Sequence, residues 1–167
     1  PPDAVFVQAG VGGLACAVLT WLDWKYGSSR PPVIVCEPSA APCLLESARA
    51  GQPVAVADRD TMMACLRCAE ISPVVWPVIE NGFDAFVAVD DKCVAETIRQ
   101  LAYPNAGDPT VVAGACGACG LAALLAVMND STLRSVRETA KIGSDSRVLV
   151  INSEGATDPE IYRSIVH

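Results

Sequence analysis

A chain of 167 residues, 51% of them apolar and with a mean hydropathy of +0.35, is long enough to bury one sizeable core, and one domain over 1–167 is the expectation. Its 12 Lys and Arg stand against 19 Asp and Glu, a formal net charge of −7, with no basic cluster, which argues against a nucleic-acid or anionic-membrane partner. The sequence opens Pro1-Pro2-Asp3 and reaches its first apolar run at once, so it reads as the C-terminal part of a longer chain whose remainder covers some apolar surface, and its start says nothing about targeting.

Val5-Phe6-Val7 predicts a short buried strand, which Gly10, Gly12 and Gly13 turn into a helix from Gly12 to about Tyr26, with Gly27 at its C-terminal cap. Val33 to Cys36 predicts a second strand ending at Glu37-Pro38, Pro42 to Ala50 a helix stopped by Gly51, and Pro53 to Ala57 a further short strand. Asp60 or Thr61 is placed to cap a helix over Met62–Cys68, and Ser72-Pro73 opens another that ends at Asn81-Gly82. Asp84 to Val89 reads as a strand, Asp90-Asp91 as the start of a helix to Leu101, and Tyr103 to Pro109 as loop. The uncharged run Val111 to Met128 has membrane-spanning length, but Gly114, Gly117 and Gly120 interrupt it, and a buried glycine turn running into an Ala/Leu helix accounts for it. Ser131 to Lys141 is an amphipathic helix and Arg147 to Ile151 the last strand. Thr157-Asp158-Pro159-Glu160 has capping-box spacing before a short terminal helix. Short apolar strands alternating with helices predict an α/β fold, a three-layer open parallel sheet with helices on both faces. Ligands of such sheets bind outside the strand carboxyl ends, where Gly10–Gly13, Glu37 and Asn152–Gly155 all fall.

A strand that turns through glycines into a helix leaves the first-turn N–H groups unpaired at the positive end of the helix dipole, so a phosphate-bearing ligand is expected at Gly10, Val11, Gly12, Gly13 and Leu14. Two readings fit. Gly10-x-Gly12-x-x-Ala15 satisfies the dinucleotide pattern, with Glu37 either a ribose-binding carboxylate or a solvated loop carboxylate. Alternatively the loop holds the single phosphate of pyridoxal 5'-phosphate, and a separate group faces the pyridine nitrogen. Ser153, directly after the last strand, is placed for that role, and a hydroxyl there leaves the nitrogen largely unprotonated where a carboxylate would favour the pyridinium. A turn or cap serine is the other reading of Ser153.

Cys65-Leu66-Arg67-Cys68 and Cys116-Gly117-Ala118-Cys119 are both C-x-x-C, a spacing used by zinc sites and redox motifs. They are far apart for a zinc ribbon, the single His is the terminal His167, and the cysteines sit among Ala, Gly and Leu, where a thiol serves as a small buried group. No metal is expected, and the thiols are expected to be reduced, in the cytoplasm.

Five segments then occur in register: Gln8-Ala9-Gly10-Val11-Gly12-Gly13-Leu14; Cys36-Glu37-Pro38; Asp60-Thr61-Met62-Met63-Ala64; Cys68-Ala69-Glu70-Ile71-Ser72-Pro73; and Ile151-Asn152-Ser153-Glu154-Gly155-Ala156-Thr157-Asp158. Over essentially its whole length the chain resembles the C-terminal half of the diaminopropionate ammonia-lyase family, in the tryptophan-synthase-β (fold type II) group of pyridoxal-phosphate enzymes. The resemblance implies a place in the large domain of such an enzyme and an α,β-elimination on 2,3-diaminopropionate to pyruvate and ammonia. It implies a phosphate loop at Gly10–Leu14, a pyridine-nitrogen partner at Ser153, an amino-acid substrate, a homodimer, and a Schiff-base lysine upstream of Pro1. No catalytic residue is then expected within this chain, because none of Lys25, Lys92 and Lys141 lies in a segment like the family's lysine motif, and the chain alone is expected to be inactive. A serine or threonine dehydratase, or a non-catalytic phosphate- or nucleotide-binding module, is the alternative.

Two positions depart from the family pattern. Where it reads Gly-Glu-Ser-Gly the chain has Gly114-Ala115-Cys116-Gly117, which removes a carboxylate expected near the cofactor ring unless Glu154 supplies it, and a Gly before Glu70 is replaced by Ala69. Cysteines stand at both Cys43 and Cys68 in the family, so the resemblance makes these two the pair to expect if any disulfide forms.

Overall fold

The computed structural model describes residues 1–167, and its centre is a parallel four-stranded sheet in the order β3-β2-β1-β4. Strands β1 (Ala4–Gln8) and β2 (Val33–Pro38) are buried at every residue, so they read as continuous apolar runs, as inner strands of a doubly covered parallel sheet do. Strands β3 (Ala85–Val89) and β4 (Val148–Val150) form the two edges and are only partly buried. The register sets Val5 beside Val33, Phe6 beside Val150 and Cys36 beside Val87.

Side-chain alternation along β1 and β2 divides the core in two. Val5, Val7, Val33 and Val35 pack under α1 (Gly13–Tyr26), α2 (Cys43–Ala50) and α3 (Trp76–Gly82). Ala4, Phe6, Ile34 and Cys36 pack under α4 (Asp91–Ala102), α5 (Ala115–Asn129), α6 (Arg134–Ala140) and α7 (Pro159–Val166). Three layers with helices on both faces result, as the alternation of strands and helices predicts. No single helix is long and apolar enough to cross a membrane. The Val111–Met128 run is instead the buried helix α5, packed along β1.

The strand expected at Pro53–Ala57 does not form. Its flanking backbone bonds are single ones, Val56 N–H to the Ala69 carbonyl and Val54 N–H to the Ser47 hydroxyl, and β3 and β1 already occupy both edges of β2. The helix expected over Met62–Cys68 reduces to one 3-10 turn, Ala64–Leu66. Its ends are tied elsewhere: Thr61 and the Met62 N–H donate to Asp91, and Arg67 is held by Asp58 and Asp60 at 2.6 and 2.8 Å. At the terminal helix the cap is Asp158 rather than Thr157, accepting from the N–H groups of Glu160 and Ile161.

Glu37 is neither a solvated loop carboxylate nor a group presented to a ligand. It lies in β2 with no exposed surface, and its two carboxylate oxygens accept the N–H groups of Leu44 and Leu45 in the first turn of α2, at 2.7 and 2.8 Å. Burial raises its pKa from 4.5 to about 7, against the lowering effect of those two N–H groups. The unfolded chain therefore ionises first as pH rises, so the stabilisation is complete below about pH 4.5 and is lost on the way to about pH 7. Denaturant titrations across that window should show stability falling by roughly 3 kcal/mol at most, and Glu37→Gln should flatten the slope while losing one helix-capping acceptor.

Candidate functional site

The chain adds strands outward from β1 to β2 to β3, then returns across the sheet to place β4 on the other side of β1. The carboxyl ends of β1 and β4 thus flank the point where the winding direction reverses, the position at which open parallel sheets leave a crevice for ligands. Gly10–Leu14 leave β1 on one side of that point, and Asn152–Gly155 leave β4 on the other.

Gly12 is the N-cap of α1 with φ +100°, a left-handed conformation, and its carbonyl accepts the first helical bond from Cys16. The N–H groups of Val11, Gly12, Gly13, Leu14 and Ala15 donate to no other backbone group, and no side chain caps the helix. The sequence pattern explained the glycines by approach to a phosphate, and the structure divides that role. A Cβ on Gly12 would press into Val75, Ile79 and Leu44, and one on Gly10 into Cys68 Sγ and the backbone at Cys65 and Leu66. A Cβ on Gly13 would meet nothing within 4 Å, so Gly13, with exposed Val11 and Leu14, forms the open face of the loop.

Opposite, Ser153 is exposed, and its hydroxyl oxygen accepts a hydrogen bond from Gln8 Nε2 at 2.6 Å. The same Nε2 donates to the Ile151 carbonyl at 2.9 Å. Gln8 is 1% exposed, and its Oε1 is buried without a partner, so the amide is held in the one orientation that gives both acceptors a proton. Because Ser153 Oγ accepts from Gln8, its own hydrogen remains free to be donated outward. Sequence reading names Ser153 and passes over Gln8. The signal that identifies it is a polar residue ending an otherwise apolar buried strand.

The carboxylate at this end of the sheet is Glu154. One oxygen accepts the Cys116 N–H in the first turn of α5 at 2.8 Å, and the other accepts from the Thr157 hydroxyl at 2.8 Å. Added Cβ atoms at Gly114 and Gly117 would fall inside Glu154 and Asn152, so this face of α5 must be glycine for the 152–155 segment to close on it. Glu154 and Ala115 both line a cavity of about 220 Å³. A carboxylate thus stands beside position 115, although residue 115 is itself Ala.

None of the three lysines belongs to this constellation. Lys25 lies over the rings of Trp21 and Tyr26, Lys92 pairs with Glu96 on α4, and Lys141 caps the end of α6. All eight cysteines are free thiols, Cys43 and Cys68 included, and both of these touch Gly10.

A family model described as pyridoxal-phosphate dependent enzyme matches residues 1–154. The diaminopropionate ammonia-lyase of Escherichia coli is 37% identical over 166 residues, covering 99% of this chain and 42% of that protein. The same enzyme of Salmonella typhimurium is 36% identical over 169 residues, with the same shares covered. A crystal structure of the Escherichia coli enzyme, in complex with an aminoacrylate–PLP azomethine reaction intermediate, superposes with a TM-score of 0.88 at 36% identity, covering 99% of this chain and 42% of that one. The chain therefore spans less than half the length of the relatives it matches.

The two glycines can be separated by substitution. Gly12→Val forces a β-branched residue into a left-handed conformation against packed side chains and should destabilise the fold by about 1–3 kcal/mol. Gly13→Val should leave the thermal midpoint nearly unchanged and weaken inorganic phosphate binding by about tenfold, read by competition in the protein containing this chain. Equal phosphate affinity in Gly13→Val and the unaltered protein would remove the anion site from this loop.

Proposed function

Since the chain belongs to the family of pyridoxal-phosphate dependent enzymes, we propose that it is the cofactor-holding part of a carbon–nitrogen lyase that eliminates ammonia from 2,3-diaminopropionate to give pyruvate. The observation that carries this reading is the pairing, across one switch point, of an uncapped helix N-terminus with a hydroxyl whose oxygen is already engaged by Gln8. A dinucleotide would instead call for a ribose-binding carboxylate, and Glu37 is buried on α2.

In this reading the N–H groups of Gly10, Val11, Gly12, Gly13 and Leu14, with the α1 dipole, hold the phosphate of the cofactor. Ser153 donates its free hydrogen toward the pyridine nitrogen, and a neutral hydroxyl keeps that nitrogen largely unprotonated. Gln8 is a positioning residue, holding Ser153 through a buried bond. Pyridoxal phosphate supplies, when bound, the electron sink that stabilises charge on the substrate's α-carbon. Glu154, fixed on α5, provides the negative charge that the family pattern carries at position 115 and orients the substrate's ammonium groups. The amine that binds the cofactor covalently belongs to chain outside this sequence, since Lys25, Lys92 and Lys141 are engaged elsewhere. Exposed Leu14, Trp21 and Trp24 along α1 support burial of that helix against further chain or a second copy, in a homodimeric enzyme, and the eight free thiols fit a reducing cytoplasm.

The full-length protein should carry the visible absorbance of bound pyridoxal phosphate and release pyruvate from 2,3-diaminopropionate faster than from serine or threonine. Tight NAD binding without that absorbance, or preference for threonine, would overturn the assignment. Glu154→Gln should retain the cofactor and slow turnover by on the order of a hundredfold, whereas Ala115→Glu, which sets a second carboxylate beside the first, should bring no gain. Full activity in Glu154→Gln would show that no carboxylate is needed there.

A further inference from the structure

The two C-x-x-C pairs do not meet as a four-thiolate cluster; the fold splits each of them. Cys68 Sγ turns to Gly10, and Cys119 is buried in the core with Cys36. The leading cysteine of each pair goes elsewhere: Cys65 from the 3-10 turn, Cys116 from the first turn of α5 and Glu154 from the segment after β4 converge, their two sulfurs and a carboxylate oxygen all within 4.8 Å of one another. We propose that Cys65, Cys116 and Glu154 form a site for a thiophilic divalent cation of the zinc class, which takes up the Glu154 carboxylate and so competes with the substrate role given to it above.

The donor set selects the ion. Two thiolates and one carboxylate suit zinc or cobalt in tetrahedral geometry, and they offer too few oxygens for magnesium or calcium. Sulfur–metal bonds of about 2.3 Å put two tetrahedral sulfurs about 3.8 Å apart, so the observed spacing needs little closure. The ligands are already held. The Cys116 N–H and the Thr157 hydroxyl fix the two oxygens of Glu154, and the Met62 N–H and Thr61 anchor the turn bearing Cys65 to Asp91. Cys65 is exposed and gives a route of entry, and the cavity of about 220 Å³ that Cys65 and Glu154 both line has room for water as a fourth ligand. Binding forms two metal–sulfur bonds and one metal–oxygen bond, and the two thiol protons pass to solvent with no electron transfer.

The test is titration of the reduced, metal-stripped full-length protein with cobalt(II), followed by zinc. One equivalent of cobalt should bind with thiolate-to-cobalt charge-transfer absorbance and tetrahedral visible bands, release about two protons, and be displaced by zinc. Cys65→Ser, at an exposed position that leaves the core intact, should weaken cobalt binding by about a hundredfold or more. Cys68→Ser should leave cobalt binding unchanged. Absence of the charge-transfer band, a band that survives Cys65→Ser, or conversion of Cys65 and Cys116 to a disulfide without metal uptake would each overturn the site. None of these readouts depends on turnover, so they separate this proposal from the lyase assignment.

Discussion

β1 is buried on both faces and paired along both edges, yet its chain must leave the sheet at Gln8, and the rest of the structure follows from how it does so. The Gln8 side chain at that end is buried, so its amide N–H donors need partners inside the protein. Gln8 finds them across the sheet, on the Ile151 carbonyl and the Ser153 hydroxyl of the segment leaving β4. One buried amide thus locks together the two segments that diverge at the switch point. Cutting that link would leave the Ile151 carbonyl and the Gln8 amide unsatisfied together.

Helix N-termini are the second organising theme, because each exposes N–H groups that require an acceptor. Three of them are met by carboxylates of the chain itself: Glu37 on α2, Glu154 on α5 and Asp158 on α7. These carboxylates come from β2, from the end of β4 and from the residue before α7, so two of the three caps are also tertiary ties. Helix α1, at the switch point, has no such acid: its cap is Gly12 and its first turn carries no acidic residue. The N–H groups at that terminus stay free to take an anion from outside the protein.

Small residues let these ties form. Helix α5 lies so close to the 152–155 segment and to β1 that Gly114, Gly117 and Gly120 each face backbone or polar atoms where a side chain would stand. This same packing brings Cys116 and Glu154 together and draws the Cys65 turn onto them. What looks in the sequence like an interrupted membrane span is the stripe that allows a central helix to touch β1 and the segment leaving β4.

The α/β class, the two inner strands, the long helices α1, α4 and α5 and the glycine turn could all be read from the sequence. Each depends on local burial, and local burial leaves a periodic or continuous apolar trace. That Gly10–Leu14 and Ser153 stand at strand exits was legible for the same reason, since glycine and a hydroxyl placed just after an apolar strand mark where a chain exits a sheet. The sequence could not decide what Glu37 does, because a carboxylate after a strand looks the same whether it faces solvent, a ribose or the N-terminus of a neighbouring helix; only the packing of α2 over β2 settled it. Nor could it reveal that Gln8 holds Ser153, or that the leading cysteines of two distant pairs meet at Glu154. Those relations join residues 145, 51 and 38 positions apart. Contacts of that span are set by strand order and helix placement, which no local pattern encodes.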